Sequence, residues 1–245
     1  MRAIILAAGV ARRLYPLTFD KPKCLLEVAG QPILDYQVKA LKRVGISEAT
    51  IVVGYYKGMI INHLKTNFDE FEFNFVNNPH FFETNTSYSL HLCEDVLLEG
   101  ECLLMNGDVL YPVELLQRVL DDDKDNVLAV EAKQCGKEEV KVIEGADERI
   151  VAIGKELIEE NSLGEFIGVA KLSEAFNSQF ADSLSQLIEA GGKADYFEAA
   201  IHPLLSKIEL HYVDVSDLPC IEIDFMEDLD KAGELATSDL FKNQR

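Results

Sequence analysis

An α/β fold, with a mostly parallel sheet flanked by helices and a β-rich insert, is what this 245-residue sequence predicts. Three observations carry it. Apolar runs of β type alternate with segments of helical period, the pattern of parallel strands joined by crossover helices. From residue 126 the texture changes to strand-like runs joined by short polar turns. Length and composition fit one domain over residues 1–245: 48% of residues are hydrophobic and 27% charged, with 15 Gly, 7 Pro and no low-complexity segment.

Residues 2–7 form a continuous apolar run, short enough for a buried strand. Residues 33–44 have helical spacing and are closed by Gly45; a second strand follows at 49–53 and a second helix at 57–67. Residues 71–76 are strand-like. Residues 86–98 carry helical spacing through Leu90, Cys93 and Leu97, and 101–105 form a strand ending at Asn106-Gly107-Asp108. Residues 112–120 suit a helix with Pro112 in its first turn. Four strand-like runs, at 126–132, 140–144, 150–153 and 165–172, mark the β-rich subregion at about 130–195. Helices return at 174–190 and 196–206, strands at 208–213 and 220–223, and a last helix begins near Met226.

The formal net charge of −20 argues against a nucleic-acid or anionic-membrane binder, since both demand a basic face. The charge is uneven. Residues 1–43 hold eight Lys/Arg against three acids, a balance of +5 that leaves residues 44–245 with −25. A cationic patch in an acidic chain suggests a small anionic ligand. The five cysteines are scattered with no C-x-x-C pair, so neither a disulfide framework nor a zinc site is indicated, and a reduced, cytoplasmic setting is expected. The apolar opening is too short for a membrane span and shows no cleavage site, so neither export nor anchoring is expected.

The first strand runs into Leu6-Ala7-Ala8-Gly9-Val10-Ala11-Arg12-Arg13. In open α/β sheets ligands sit beyond the carboxyl ends of strands. A dinucleotide loop wants G-x-G-x-x-G and a Walker loop wants G-x-x-x-x-G-K-[ST]; this stretch satisfies neither. It does offer backbone N–H groups in a tight turn and two guanidiniums, which suit a polyphosphate. A solvated arginine pair is the plainer alternative. Lys23, between Pro22 and an apolar pair, is either a positioned point charge for a phosphoryl group or a surface lysine.

Together, "LAAGVARRLYPLTFDKPKCLLEVAGQPIL" (6–34) resembles the signature L-A-A-G-x-G-x-R-L-x-P-L-T-x-x-x-P-K-x-L-L of the sugar-phosphate nucleotidylyltransferases, departing from it where Ala11 replaces a glycine. The blocks "NPHFFETNTSYSLHLC" (78–93), "MNGDVLY" (105–111), "RIVAIGKEL" (149–157), "GEFIGVAKLS" (164–173), "DYFEAAI" (195–201) and "IEIDFMEDLDKA" (221–232) resemble the branch containing phosphocholine cytidylyltransferases. Hexose-1-phosphate enzymes have a G-T-A-type segment where this chain has residues 85–90.

The resemblance implies a single Rossmann-like domain of nucleotide-diphospho-sugar transferase type. It further implies transfer of CMP from CTP to a small phosphorylated amino alcohol such as phosphocholine, with Mg²⁺ as cofactor and pyrophosphate released. Arg13 then contacts the triphosphate, Lys23 the reacting phosphates, and Asp108 and Asp224 hold the metal. Leu6 to Arg13, Lys23 and Gly107 fall in the nucleotide site. Asn85 and Ser89, at the opening of a helix, either read the base or cap the helix. For the acceptor, the candidates are Tyr196 and Glu198 for its ammonium, Glu165 for a further substrate contact and Lys141 for its phosphate; Tyr196 and Phe197 are alternatively core residues. A phosphate monoester is largely dianionic at neutral pH and requires no general base, so the lack of a catalytic triad or a histidine motif agrees with this chemistry. A sugar-1-phosphate nucleotidylyltransferase and a non-catalytic nucleotide-binding module are the rivals. Self-association into a homo-oligomer is left open.

Overall fold

A computed structural model describes residues 1–244. The fold is the expected mixed α/β one, a mostly parallel sheet flanked by helices. In chain order the elements are β1 (Arg2–Ala7), β2 (Glu27–Val28), β3 (Gln31–Pro32), α1 (Ile33–Arg43), β4 (Glu48–Val53), α2 (Lys57–Asn67), β5 (Glu72–Asn77), α3 (Thr86–His91), α4 (Glu94–Leu97), β6 (Cys102–Asn106), β7 (Val109–Leu110), α5 (Val113–Asp121), β8 (Val127–Glu131), β9 (Lys141–Glu144), β10 (Ile150–Gly154), β11 (Gly164–Leu172), α6 (Glu174–Glu189), α7 (Glu198–Ile201), β12 (His211–Asp214), β13 (Ile221–Glu222) and α8 (Met226–Leu235).

Two expected helices are interrupted. Residues 86–98 divide into α3 and α4 at Cys93, where the amide of Cys93 bonds back to Leu90 in a tighter turn. Leu90, Cys93 and Leu97 are nonetheless all fully buried, which is why the sequence read as one helix. Residues 196–206 become α7 and a 3₁₀ turn at His202–Ser206, because Pro203 has no amide to continue the α ladder.

The chain divides into two compact units. The N-terminal unit comprises Arg2–Phe82, Met105–Gln117 and the chain from Leu218 on. Here β1, β4 and β5 are parallel, with Ala3 opposite Ala49 and Thr50 opposite Asn74. Ile4, Ile5, Ile51 and Val52 are buried on both faces, as parallel strands covered by helices require. A second apolar cluster joins Leu14, Leu26, Leu110 and Ile223 with Tyr36 of α1 and Phe241. Each of those first four residues lies one to three positions from Arg13, Lys23, Asp108 or Asp224. Burying one such side chain contributes about 1.5–3 kcal/mol, so four functional segments are fixed by one hydrophobic contact set.

The inserted unit comprises Met1, Glu83–Leu104 and Arg118–Asp217. Its strands run in the order β12, β8, β11, β9, β10; β12 is parallel to β8 and the other pairs are antiparallel. The four strand-like runs of the sequence are β8 to β11. The buried aromatics Phe176, Phe180 and Phe197 pack edge to face in its core.

Candidate active site

Lys23 opens a 3₁₀ turn (Lys23–Leu25) after Pro22, whose extended conformation turns the chain inward and buries Cys24, Leu25 and Leu26. This leaves the Lys23 ammonium among acids. It lies 2.9 Å from Asp108 Oδ2 and 2.6 Å from Asp224 Oδ1. Burial alone would lower its pKa, but the carboxylates of Asp108, Asp224 and Glu222 outweigh that and hold it above the ordinary lysine value. Next to it, burial pushes the Cys24 thiol up to about 12, which leaves no thiolate nucleophile there at neutral pH.

The two aspartates meet because β13 pairs antiparallel with β7, setting Glu222 opposite Val109, and the Ile223 amide donates to the Asp108 carbonyl at 3.1 Å. Asp108 is braced from both sides. The Gln37 side chain, buried on α1, donates to the carbonyls of Asn106 (2.8 Å) and Val109 (2.9 Å). Gly107 allows close approach: its amide donates to the Leu6 carbonyl, and a Cβ there would lie 2.7 Å from that oxygen. Asp224 does not cap the helix that follows it. Asp228 does so, accepting from the amides of Asp224 and Phe225.

Glu222 joins the pair. Carboxylate oxygens of Asp108, Glu222 and Asp224 all lie within 4.8 Å of one another. Asp108 Oδ1 is buried and, among the described residues, has no hydrogen-bond partner. An all-oxygen donor set with an orphaned buried oxygen fits a hard dication such as Mg²⁺. Glu222 was not among the sequence candidates, although its alternation with Asp224 in "CIEID" places both on one face of a short strand.

Over the loop from Leu6 to Arg13 the chain changes from buried strand to exposed turn. Among the described residues, no backbone hydrogen bond engages the amides of Gly9, Val10 or Ala11. The turn is pinned by the Thr18 hydroxyl, which donates to the Ala11 carbonyl at 2.8 Å, and by the buried Leu14. Ala11 has φ 52°, the left-handed region that favours the glycine the signature carries at this position. The Arg13 guanidinium lies 3.3 Å from Asp224 Oδ2 and covers the Phe225 ring at 5.2 Å; that of Arg12 covers Phe82 at 5.6 Å. Arg13, Lys23, Asp108 and Asp224, separated by up to 211 positions, thus form one constellation.

The remaining candidates lie in the inserted unit. Asn85 caps α3, its side chain accepting the Thr86 amide, and Ser89 is buried one turn further on. Lys141 is almost wholly buried and donates to the carbonyls of Lys155 (2.6 Å) and Glu139 (3.3 Å). Glu165 is held by Lys133 at 2.6 Å, and the same ammonium lies 2.8 Å from Glu131. Tyr196 and Phe197 diverge: Phe197 is core, whereas Tyr196 is exposed with the Lys155 ammonium 4.3 Å from its ring centre. Glu198 is buried, its Oε2 has no hydrogen-bond partner among the described residues, and burial pushes its carboxyl up to about 7. Sequence reasoning missed Glu131, Lys133 and Lys155 because surface charges between turns carry no motif.

Cations and carboxylates converging beyond a parallel strand, beside a loop whose amides make no backbone hydrogen bond among the described residues, suit the binding of phosphate esters. Residues 2–139 match the Nucleotidyl transferase family, and the chain belongs to it. It is 28% identical over 251 residues to CTP:phosphoglutamine cytidylyltransferase of Campylobacter jejuni, covering 94% of this chain and 98% of that one. It is 39% identical over 97 residues to choline-phosphate cytidylyltransferase of Streptococcus pneumoniae, 40% of this chain and 41% of the relative. The solved structure of the CTP:phosphocholine cytidylyltransferase from Streptococcus pneumoniae superposes with a TM-score of 0.79 at 23% identity, over 96% of this chain and 99% of that one. The inositol-1-phosphate CTP transferase from T. maritima also gives 0.79, at 21% identity over 97% and 96%.

Proposed function

We propose that this nucleotidyltransferase is a cytidylyltransferase that transfers CMP from CTP to the phosphate of a small phosphorylated amine, with Mg²⁺ required. The observation that carries the reading is the meeting of Lys23 with Asp108, Glu222 and Asp224 beside the Arg13 loop. The relative that is named for CTP and phosphoglutamine, aligned over 94% of the chain, supports the base and the class of acceptor.

An acceptor phosphate oxygen attacks the α-phosphorus of CTP. The bond from that phosphorus to the bridging oxygen breaks, and pyrophosphate leaves with the electron pair. The attacking dianion requires no proton removal, so the side chains bind, align and neutralise. Arg13 and the amides of Gly9 to Ala11 hold the triphosphate; Lys23 bridges the phosphates that are being joined. Mg²⁺, when bound to Asp108, Glu222 and Asp224, supplies charge neutralisation at the α-phosphate. Gln37 and the β7–β13 pairing keep its carboxylates in place.

The test is pyrophosphate release across CTP, UTP, GTP and ATP with a panel of phosphocholine, phosphoethanolamine, O-phosphoserine, phosphoglutamine and a hexose 1-phosphate. CTP-dependent release with any of the amines is the expected result. Release with the hexose phosphate alone overturns the reading in favour of a sugar-1-phosphate enzyme. Among the described residues no helix is long and apolar enough to cross a membrane.

A further inference from the structure

Within the N-terminal unit, the stretch from Asn106 to Val113 that carries Asp108 has little regular structure of its own. Its strand β7 is two residues long and pairs with the equally short β13, too small a ladder to fix a backbone alone. Side-chain amides from distant positions hold its main chain instead. Gln37 takes the carbonyls of Asn106 and Val109, one on each side of Asp108. Gln244 takes the groups that follow: its Nε2 donates to the Tyr111 carbonyl at 3.1 Å, and its Oε1 accepts the Val113 amide at 2.9 Å. Val113 opens α5, where a first-turn amide has no partner within the helix.

The Gln244 Nε2 also donates to the Tyr36 carbonyl at 3.1 Å. Tyr36 precedes Gln37 on α1, so one helix grips the Asp108 stretch twice, directly through Gln37 and by way of Gln244. A primary amide offers two N–H donors and one oxygen, and Gln244 uses all three on main-chain groups. It is fully buried, although it stands 208 positions from Tyr36 and 133 from Tyr111 in the chain. Its own place is set by Phe241, whose ring meets that of Tyr36 edge to face with centres 5.9 Å apart, and by Gln31, whose side chain donates to the Gln244 carbonyl at 2.7 Å. Deleting this amide leaves a buried amide and carbonyl unpaired, and the stretch must shift to satisfy them. Tyr111 lies three positions from Asp108, so the shift reaches the carboxylate.

We propose that Gln244 is a positioning residue for the metal carboxylates, acting on Asp108 through Tyr111, Val113 and α1. This rests on the placement of Mg²⁺ at Asp108, Glu222 and Asp224 proposed above. Groups that orient the ligands of a metal change its affinity by about 10–100-fold when removed.

The experiment titrates Mn²⁺, which takes the same oxygen ligands as Mg²⁺, into the metal-free protein and reads the free ion by its paramagnetic resonance signal. Wild type is compared with Gln244→Met, Gln31→Ala, Leu64→Ala and Asp108→Asn, with thermal unfolding of each alongside. Gln244→Met keeps the length of the side chain and removes its three hydrogen bonds; it should weaken Mn²⁺ binding about 10–100-fold. Leu64, buried on α2 and outside this network, is the control for stability alone: Leu64→Ala should lower Tm and leave the affinity at the wild-type value. Asp108→Asn should lose more affinity than Gln244→Met. Gln31→Ala frees only the Gln244 carbonyl and should weaken binding by a smaller factor; it decides the matter if Gln244→Met does not fold. Wild-type affinity in the deciding variant, or a loss there no greater than in Leu64→Ala, overturns this inference and leaves the metal placement intact. No binding in wild type, or wild-type affinity in Asp108→Asn, overturns both.

Discussion

Replacing Lys23 by methionine keeps the side chain's length and apolar stem and deletes only its charge. In the structure that charge sits 2.9 Å from Asp108 and 2.6 Å from Asp224, and the oxygens of Asp108, Glu222 and Asp224 lie within 4.8 Å of one another. Two unit charges 4.8 Å apart repel by about 3.5 kcal/mol at an effective dielectric of ~20 and by about 0.9 kcal/mol in water. Asp108 and Asp224 have side chains 29% and 32% exposed, so the site falls between those limits. Loss of the ammonium should therefore cost about 2–4 kcal/mol of stability, below the penalty for a fully buried pair. For a chain of this size that is a fall in Tm of about 4–16 °C. The assay is thermal unfolding in EDTA and again in excess MgCl₂. Because a dication at the three carboxylates binds only the folded chain, it should recover at least half of the deficit in the variant and shift wild type less. Turnover should fall about 10²-fold or more in either condition, since the charge that meets the phosphates is gone. A variant as stable as wild type in EDTA, or one whose deficit ignores MgCl₂, would refute the reasoning.

Asp108→Asn and Asp224→Asn should each lower kcat/KM by about 10²–10³-fold while the protein stays folded, and a near-normal rate in either would show that the metal has been misplaced. Gly107→Ala should destabilise by about 1–3 kcal/mol, read by denaturant unfolding, because its Cβ would meet the Leu6 carbonyl at 2.7 Å. The Glu198 carboxyl, pushed up to about 7 by burial, contributes stability that is complete below the unfolded value near 4.3 and is lost as pH rises through 7. Glu198→Gln should thus match wild type at pH about 4 and exceed it by up to ~3 kcal/mol at pH about 8, and pH-independent Tm differences would contradict the shift. Ala11→Gly should raise Tm by about 1–3 °C, since relief at φ 52° outweighs the added freedom of the unfolded chain.

The longer strands and the long helices were legible because burial imposes a period on the sequence, and that period survived even where α3 and α4 break apart. The N-terminal half of the site was legible for a different reason: Pro22, Lys23 and the arginine loop are local, so their spacing is written in consecutive residues. From the residues alone Asp108 and Asp224 read as strand-end aspartates, and the family resemblance joined them as a metal pair. Their union depends on β7 and β13, two-residue strands too short to show any alternation. For Glu222 the one signal was its alternation with Asp224 in "CIEID", and on a strand this short that alternation was not used. Gln37 reads as one more polar residue on an amphipathic helix, and nothing in its neighbours reveals that it faces two carbonyls flanking Asp108. In the inserted unit Lys141 and Glu165 were named from the sequence, but that they lie opposite each other, with Glu131 opposite Glu165, follows from strand register, which no local spacing shows.

The sequence presents residues 1–43 as a basic patch of +5 in a chain of −20, which by itself would attract a polyphosphate. Folding reverses the sign locally. Lys23 and Arg13 both lie on carboxylates, and Asp108, Glu222 and Asp224 together exceed those two cations by one negative charge. A triphosphate approaching that cluster is repelled, and adding a dication changes the balance from −1 to +1. On the proposed function, nucleotide affinity and the requirement for Mg²⁺ are then one electrostatic property and not two. The carboxylates that weaken the patch also hold Lys23 in place, so that its ammonium is already positioned when the phosphates arrive and little ordering remains to be done at the moment of transfer.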